Sequence, residues 1–149
     1  MTDFTIKHFA KHLAAPALTY FAIVFGAGFL LGTVRVLWLV PQLGSRVAEL
    51  CEMPIMLIVT YFTARYVIKH FAVPPAAAPR LVVGMLALMC MLIVEFTVVL
   101  WLQGITIAEY FAQRDPVSGA FYMASLILFA FMPWLVADLT IHRKKQHIP

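Results

Sequence analysis

Four long apolar runs dominate this chain, and they restrict its fold more than any other feature. Charged residues make up 12% of the 149 residues, whereas soluble domains typically contain ~25%. Each run is long enough to cross a bilayer as a helix, which takes about 20 residues. The sequence therefore predicts an all-α membrane protein, in which one domain over residues 1–149 has four transmembrane helices in one bundle. The predicted spans are 15–40, 45–71, 80–102 and 117–139.

Two shorter segments are expected to lie on the membrane surface as amphipathic helices. The first covers residues 1–13, in which an apolar face opposes a basic face formed by Lys7, His8, Lys11 and His12. Such a pattern is typical of interfacial helices. The second covers residues 105–115, between the third and fourth spans, which are too polar to cross a bilayer. Pro41 and Gly44 predict a tight hairpin between the first two spans.

The distribution of Lys and Arg predicts the orientation in the membrane. Eight basic residues lie in the N-terminal segment, the connection between spans two and three, and the C-terminal tail, namely Lys7, Lys11, Arg65, Lys69, Arg80, Arg143, Lys144 and Lys145. The opposite side holds three, namely Arg35, Arg46 and Arg114. Because basic residues favour the cytoplasmic side, both termini are expected there. The net charge of +4 is thereby explained, and no nucleic-acid partner is predicted.

A group of polar residues is expected to lie inside the outer leaflet. Arg35, Glu52, Glu95 and Tyr122 come from four different spans, and each lies roughly 8–12 Å from the outer end of its span at 1.5 Å per residue. A charged side chain at the bilayer centre costs ~2.5–3.5 kcal/mol, so such residues usually pair or function. The sequence therefore predicts one intramembrane polar cluster, formed by Arg35, Glu49, Glu52, Glu95, Tyr122 and Ser125.

Local spacing adds three expectations about packing. Gly28 and Gly32 form a GxxxG pair on the face of Arg35, which predicts close helix packing there. Arg46 and Glu49 are three residues apart, so a surface pair between them is expected. Pro133 is expected to kink the fourth span and to free the carbonyl of Phe129, because proline lacks the backbone donor.

Three hypotheses explain the polar cluster. In the first, it binds or translocates a cation, a proton or a small polar ligand, and translocation would require an oligomer because four helices enclose a narrow pathway. In the second, the protein is a structural or accessory subunit of a larger membrane complex, and the cluster is a packing salt bridge. In the third, Glu95 faces a partner subunit instead of Glu52. The expected partners are membrane lipids and either a second copy of the chain or a larger complex.

Enzymatic and cofactor chemistry is weakly indicated. No nucleophile–base pair, phosphate-binding loop or dinucleotide motif is recognisable, so no catalytic residues are predicted. All five histidines lie at the cytoplasmic ends of the spans, which excludes a haem held between two of them inside the bundle. Soft copper ligands are present in Met53, Met56, Met89, Cys90 and Met91, but methionine usually fills space in helix cores. No cofactor and no metal site are therefore predicted.

Two stretches of the sequence resemble those of known proteins, namely GTVRVLWLVPQLGSRVAELCEMPIML and QRDPVSGAFYMASLILFAFMP. With them, the chain resembles a group of small, uncharacterised bacterial integral membrane proteins with four spans. The resemblance implies a location in the bacterial inner membrane. It supplies no activity, ligand or catalytic residue.

Overall fold

The computed structural model describes residues 2–99, 101, 104, 106–113 and 115–145, and no strand occurs among them. Within these ranges, six α-helices and two π-helical segments follow one another in the order α1 Thr2–Val34, the first π segment Arg35–Leu39, α2 Val40–Leu43, α3 Ser45–His70, α4 Ala77–Val94, the second π segment Glu95–Val99, α5 Ile107–Gln113 and α6 Pro116–Lys145. The all-α prediction is confirmed.

Four helical stretches of the described residues are long and apolar enough to cross a membrane. They are His12–Leu43, Ser45–His70, Ala77–Thr97 and Pro116–Val136. Each overlaps one predicted span over most of its length, and the first extends further at both ends. The extension beyond residue 40 arises because the chain stays helical through Pro41. The helix breaks at Gly44, whose φ of 76° favours glycine.

The two predicted surface helices differ in outcome. The described part of the predicted helix over residues 1–13 is not a separate helix, because α1 runs without a break from Thr2 to Val34 and contains Pro16. A short helix does occur between the third and fourth long helices, as α5. Its first turn is closed by a capping box, in which Glu109 accepts from the Thr106 backbone N–H at 2.7 Å and Thr106 Oγ1 accepts from the Glu109 N–H at 3.3 Å. The Thr106 backbone N–H also lowers the pKa of Glu109.

The packed core lies in the half of the molecule remote from Gly44. Helices α1 and α6 each lie against both α3 and α4. Side chains of all four helices form the main buried cluster, which consists of Tyr20, Val24, Ala64, Val67, Ala87, Phe129 and Val136. Tyr20 lies fifteen residues before Arg35, or roughly 22 Å along the helix. The core therefore holds the four helices together at one end and leaves the other end less filled.

Two helix backbones touch at a glycine that the GxxxG spacing did not indicate. A Cβ atom added at Gly84 of α4 would lie 1.8 Å from the Ala130 carbonyl oxygen of α6. A Cβ atom at Gly28 would lie 3.3 Å from the Cε of Met56, and one at Gly32 would meet nothing within 4 Å. Gly32 thus borders open space in this structure, and the close helix approach lies between α4 and α6.

Candidate functional site

Arg35 and Glu95 each begin a π-helical segment. In the first, the Val40 backbone N–H bonds to the Arg35 carbonyl, five residues back, so the turn is wider than in an α-helix. The second π segment starts at Glu95, directly after the last residue of α4. Single π turns inside α-helices occur frequently at functional sites. Both long helices therefore change their winding at the residue that brings a charge into the cluster.

Arg35 connects α1 to α3 through two carboxylates. Its Nη1 atom lies 2.8 Å from Glu49 Oε1, and its Nε atom lies 2.8 Å from Glu52 Oε2. The three side chains are only 18–24% exposed. The Nε atom is buried and makes no hydrogen bond within the described residues, so its contact with Glu52 is an ion pair without a well-aligned N–H. Glu49 and Glu52 can both reach the guanidinium because they lie three residues apart on one face of α3.

The prediction of a surface pair between Arg46 and Glu49 is wrong, because each of the two residues has a different partner. Glu49 contacts Arg35, and Arg46 Nε donates hydrogen bonds of 3.1 Å to both carboxylate oxygens of Asp115. Asp115 also accepts from the backbone N–H groups of Val117 and Ser118, which caps α6. The contact therefore fastens the start of α3 to the start of α6.

Glu95 and Tyr122 connect the other two long helices. The Tyr122 hydroxyl donates a hydrogen bond to Glu95 Oε2, which joins the second π segment to α6. Ser125, one turn further along α6, donates its hydroxyl to the Phe121 carbonyl at 2.9 Å. The polar cluster thus consists of two parts. Ion pairs join the first π segment to α3, and a hydrogen bond joins the second π segment to α6.

The polar residues contributed by the four long helices line one cavity of about 770 Å³. The cavity contains every residue of the predicted polar cluster in its wall, and Gly28 and Gly32 border it as well. Its polar wall is formed by Arg35, Glu49, Glu52, Glu95, Tyr122 and Ser125. Ligand pockets in proteins typically measure about 300–1,000 Å³. The volume therefore suits an organic molecule better than a single ion.

The cavity also has an apolar wall, which the sequence reasoning missed. Side chains from α1, α3, α4 and α6 form it, among them Val24, Phe25, Met56, Leu57, Met91, Leu126 and Phe129. Thr60, which is buried, lies on the same wall. Glu49, Glu52 and Met56 follow one helical face of α3, which indicates Met56 as a lining residue, and Thr60 lies one turn further along the same face. The contributions of the other helices depend on packing.

The charges on the wall do not balance. Three carboxyl groups face one guanidinium, which corresponds to a formal charge of −2 when all four are ionised. Within the described ranges, no group of three His, Cys, Asp or Glu side chains lies close enough to hold a metal ion. No family model matches the chain, and no curated protein or solved structure is significantly similar to it. Function is therefore inferred from the cavity and its charges.

Proposed function

We propose that the four long helices cross a bacterial inner membrane as one bundle, with both termini in the cytoplasm and the polar cluster in the outer leaflet. The surface of the helices supports this placement, because large apolar side chains such as Leu30, Ile58 and Ile127 are exposed over more than half of their area. Exposed apolar side chains on helices of this length suit contact with lipid. The distribution of eight and three basic residues supports the orientation, and the compartment follows from the resemblance of the sequence alone, since no family model or known protein matches the chain.

Exposed aromatic residues occur near both ends of the long helices. Trp38 and Trp101 lie towards the end that carries Gly44, and Tyr66 and Trp134 lie towards the opposite end. Tryptophan and tyrosine concentrate at the two membrane–water interfaces because their rings are amphipathic. Their positions support two interfaces on either side of the apolar surface.

Cysteine labelling tests the orientation. In a chain whose Cys51 and Cys90 are replaced by serine, Gln113→Cys on α5 is expected to react with a membrane-impermeant maleimide added to spheroplasts. Gln146→Cys in the basic tail should react only after the membrane is opened. Labelling of the tail from outside, with protection of α5, would reverse the orientation and place the cluster in the inner leaflet.

We propose further that the cavity is a membrane-embedded binding site for a cation or a protonated ligand. One observation carries this proposal: three carboxyl groups and one guanidinium line the same cavity of about 770 Å³. Arg35 contacts Glu49 and Glu52, and when all three carboxyl groups are ionised the wall keeps a negative charge that attracts a cation. In an environment of low dielectric constant this attraction is much stronger than in water.

A matched pair of probes tests the charge preference. Tetraphenylphosphonium and tetraphenylborate have the same shape and opposite charges, and their binding to the purified protein can be measured by equilibrium dialysis in a neutral sugar detergent. We expect the cation to bind more tightly than the anion. The substitutions Glu52→Gln and Glu95→Gln should each weaken the binding of the cation. Glu109→Gln on the exposed α5 is the control and should bind as the wild type. Equal binding of both probes would refute the proposal.

The second candidate function is that of a structural or accessory subunit. It is supported by the contacts themselves, since Arg35 joins α1 to α3 and Tyr122 joins α6 to Glu95. In that case the cluster fixes helix packing, and neutral replacements of both partners of a pair would leave a stable protein that behaves as the wild type in the cell. Loss of probe binding without loss of stability in Glu95→Gln would favour the binding site.

A further inference from the structure

We infer that the ligand is an amphipathic organic cation, a positively charged head with an apolar body, which enters the cavity from the lipid side. This inference rests on the proposed function, because it specifies the class of ligand for the same site. Three features of the cavity carry it: its division into a polar and an apolar end, its closed floor, and the position of its mouth.

The polar and apolar ends of the cavity are separated along the helix axes. Val24 of α1 and Arg35 of the first π segment both line the cavity and are eleven residues apart, which corresponds to roughly 16 Å. On α3, Glu52 and Thr60 span roughly 12 Å, and the residues between them on this wall are Met53, Met56 and Leu57. A ligand that fills this space must present charge at one end and apolar surface along the rest of its length.

An aromatic stack closes the floor of the cavity. Phe129 lines the cavity, and its ring stacks on Tyr20 with 4.6 Å between the ring centroids. Tyr20 is completely buried, and its hydroxyl donates to the Phe129 carbonyl at 2.9 Å. The apolar end of the cavity is therefore bounded by packed, buried side chains, which suits retention of an apolar body.

The mouth of the cavity lies along α1 beside residues that are exposed. Phe29 and Leu37 line the cavity and are 67% and 65% exposed, so the cavity reaches the surface between apolar side chains. Thr33 lies between them, and its hydroxyl donates to the Phe29 carbonyl at 2.8 Å within the helix. Gly32 faces the same opening with no side chain, and a Cβ atom added there would have no atom within 4 Å. In a membrane this opening faces the hydrocarbon, where amphiphiles are concentrated.

The probe series separates this inference from the proposed function. Tetramethylammonium carries a positive charge with little apolar surface, whereas tetraphenylphosphonium carries the same charge with four phenyl rings. We expect tetraphenylphosphonium to bind at least about tenfold more tightly, because its rings leave water for the apolar wall. Equal affinity for the two cations would overturn the amphiphile inference while the cation site stands. Failure of both cations to bind would refute the proposed function as well.

Two glycine variants test the position of the mouth. Gly32→Leu fills the opening, and Gly26→Leu adds the same side chain on α1 away from the cavity; neither position has an atom within 4 Å of an added Cβ. We expect both variants to melt at similar temperatures, and Gly32→Leu alone to lose about tenfold or more in affinity for tetraphenylphosphonium. Equal affinity of the two variants would overturn entry beside Gly32. Leu126→Trp, with Leu128→Trp as its exposed control, repeats the test at the apolar wall if Gly32→Leu fails to fold.

The source of the ligand is distinguished by competition. An amphipathic amine reaches the cavity either as a lipid headgroup with its chains or as a free organic cation. Phosphatidylethanolamine carries an ammonium group beside its phosphate, whereas phosphatidylglycerol carries the phosphate without an ammonium. Displacement of tetraphenylphosphonium by the first lipid and not by the second supports the inference, with the ammonium head of a resident lipid in the site. Displacement by dodecylamine without displacement by either lipid supports the inference with a free cation. Displacement by phosphatidylglycerol alone would overturn the inference, because an anionic headgroup would then be preferred.

Discussion

Arg35 holds two carboxylates on a neighbouring helix, and the first prediction concerns this pairing. Replacing Arg35 by leucine leaves Glu49 and Glu52 close together without a cation. Removal of one partner of a buried pair costs at most about 3–5 kcal/mol, and partial exposure reduces that cost. We therefore expect Arg35→Leu to lower the thermal melting temperature of the purified protein, and a second change, Glu52→Gln, to recover part of the loss.

The control for this cycle is Glu109→Gln, which removes a carboxylate from the exposed helix α5. Combined with Arg35→Leu, it should recover nothing. If Glu109→Gln restores the melting temperature as well as Glu52→Gln does, the effect reflects overall charge and the Arg35–Glu52 contact contributes no stability.

Tyr20 supplies the donor for a carbonyl that a proline leaves free, and a second cycle follows from this. Pro133 has no N–H for the Phe129 carbonyl, and the Tyr20 hydroxyl donates to it instead. Tyr20→Phe leaves this buried carbonyl unsatisfied, which costs about 1–3 kcal/mol. In a chain with Pro133→Ala the helix regains its own N–H at this position, so Tyr20→Phe should cost less there. Melting temperatures of the four proteins give the coupling, and additive effects would contradict it.

At the residue scale, helix pattern and depth predicted a set of polar residues that all line one cavity, but not all of their partners. Arg35, Glu52, Glu95 and Tyr122 were predicted to share a level because the rise per residue is nearly constant. The free carbonyl of Phe129 also follows from proline chemistry alone. Its donor, Tyr20, lies 109 residues away in sequence, and Asp115 replaces Glu49 as the partner of Arg46. Such contacts depend on how helices turn about their axes, which local spacing does not determine.

At the scale of elements, the contact between α4 and α6 carries a prediction about Gly84. Because an added Cβ would lie 1.8 Å from the Ala130 carbonyl oxygen, Gly84→Ala must push the two helices apart. Overpacking of this kind typically costs about 1–3 kcal/mol. Gly26→Ala is the control, since nothing lies within 4 Å of its added Cβ and alanine favours helix. Gly84→Ala should melt clearly below the wild type and Gly26→Ala should not, and equal melting temperatures would contradict the close approach.

The junction of α3 and α6 should respond to acid. The Arg46 guanidinium, together with the backbone N–H of Ser118, lowers the pKa of Asp115 from 3.8 to about 2. A carboxylate with a lowered pKa stabilises the fold above its unfolded pKa and loses that contribution as the pH falls towards its folded pKa. Asp115→Asn keeps a capping side chain without the charge. The melting temperature difference between wild type and Asp115→Asn should be constant above about pH 5 and disappear between about pH 4 and pH 2.

A difference that persists unchanged to pH 2 would show that the Asp115 charge does not contribute. A difference that is the same at low and at high salt would also contradict an exposed ion pair, because salt screens such pairs.

The positions of the four long helices were predictable from the sequence, but the change from α-helix to π-helix within two of them was not. Length and apolar content identify the helices, since a run of about 20 apolar residues is a strong signal. The π segments at Arg35 and Glu95 have no such signal. The continuous α1 differs from the separate surface helix expected over residues 1–13 because no residue there forces a break, and Pro16 is accommodated inside the helix.

On the scale of the whole molecule, the two halves differ in how they are filled. One half contains the main buried cluster around Tyr20 and Val67, and the other contains the cavity with Arg35 and Glu95 on its wall. The sequence predicted the charges at one level but could not show the cavity that they line. The volume between helices depends on crossing geometry, and that geometry is set by contacts such as Gly84 with Ala130.

The central claim is that this cavity holds a cationic amphiphile, and a native mass measurement tests it most directly. Protein purified in a mild neutral detergent is released from its micelle in the mass spectrometer, and bound species are then dissociated and identified. We predict that wild type and Gly26→Leu carry an adduct that leaves as an amphipathic cation, and that Gly32→Leu lacks it. A wild-type mass equal to that of the bare chain, or the same adduct on all three proteins, would contradict the account.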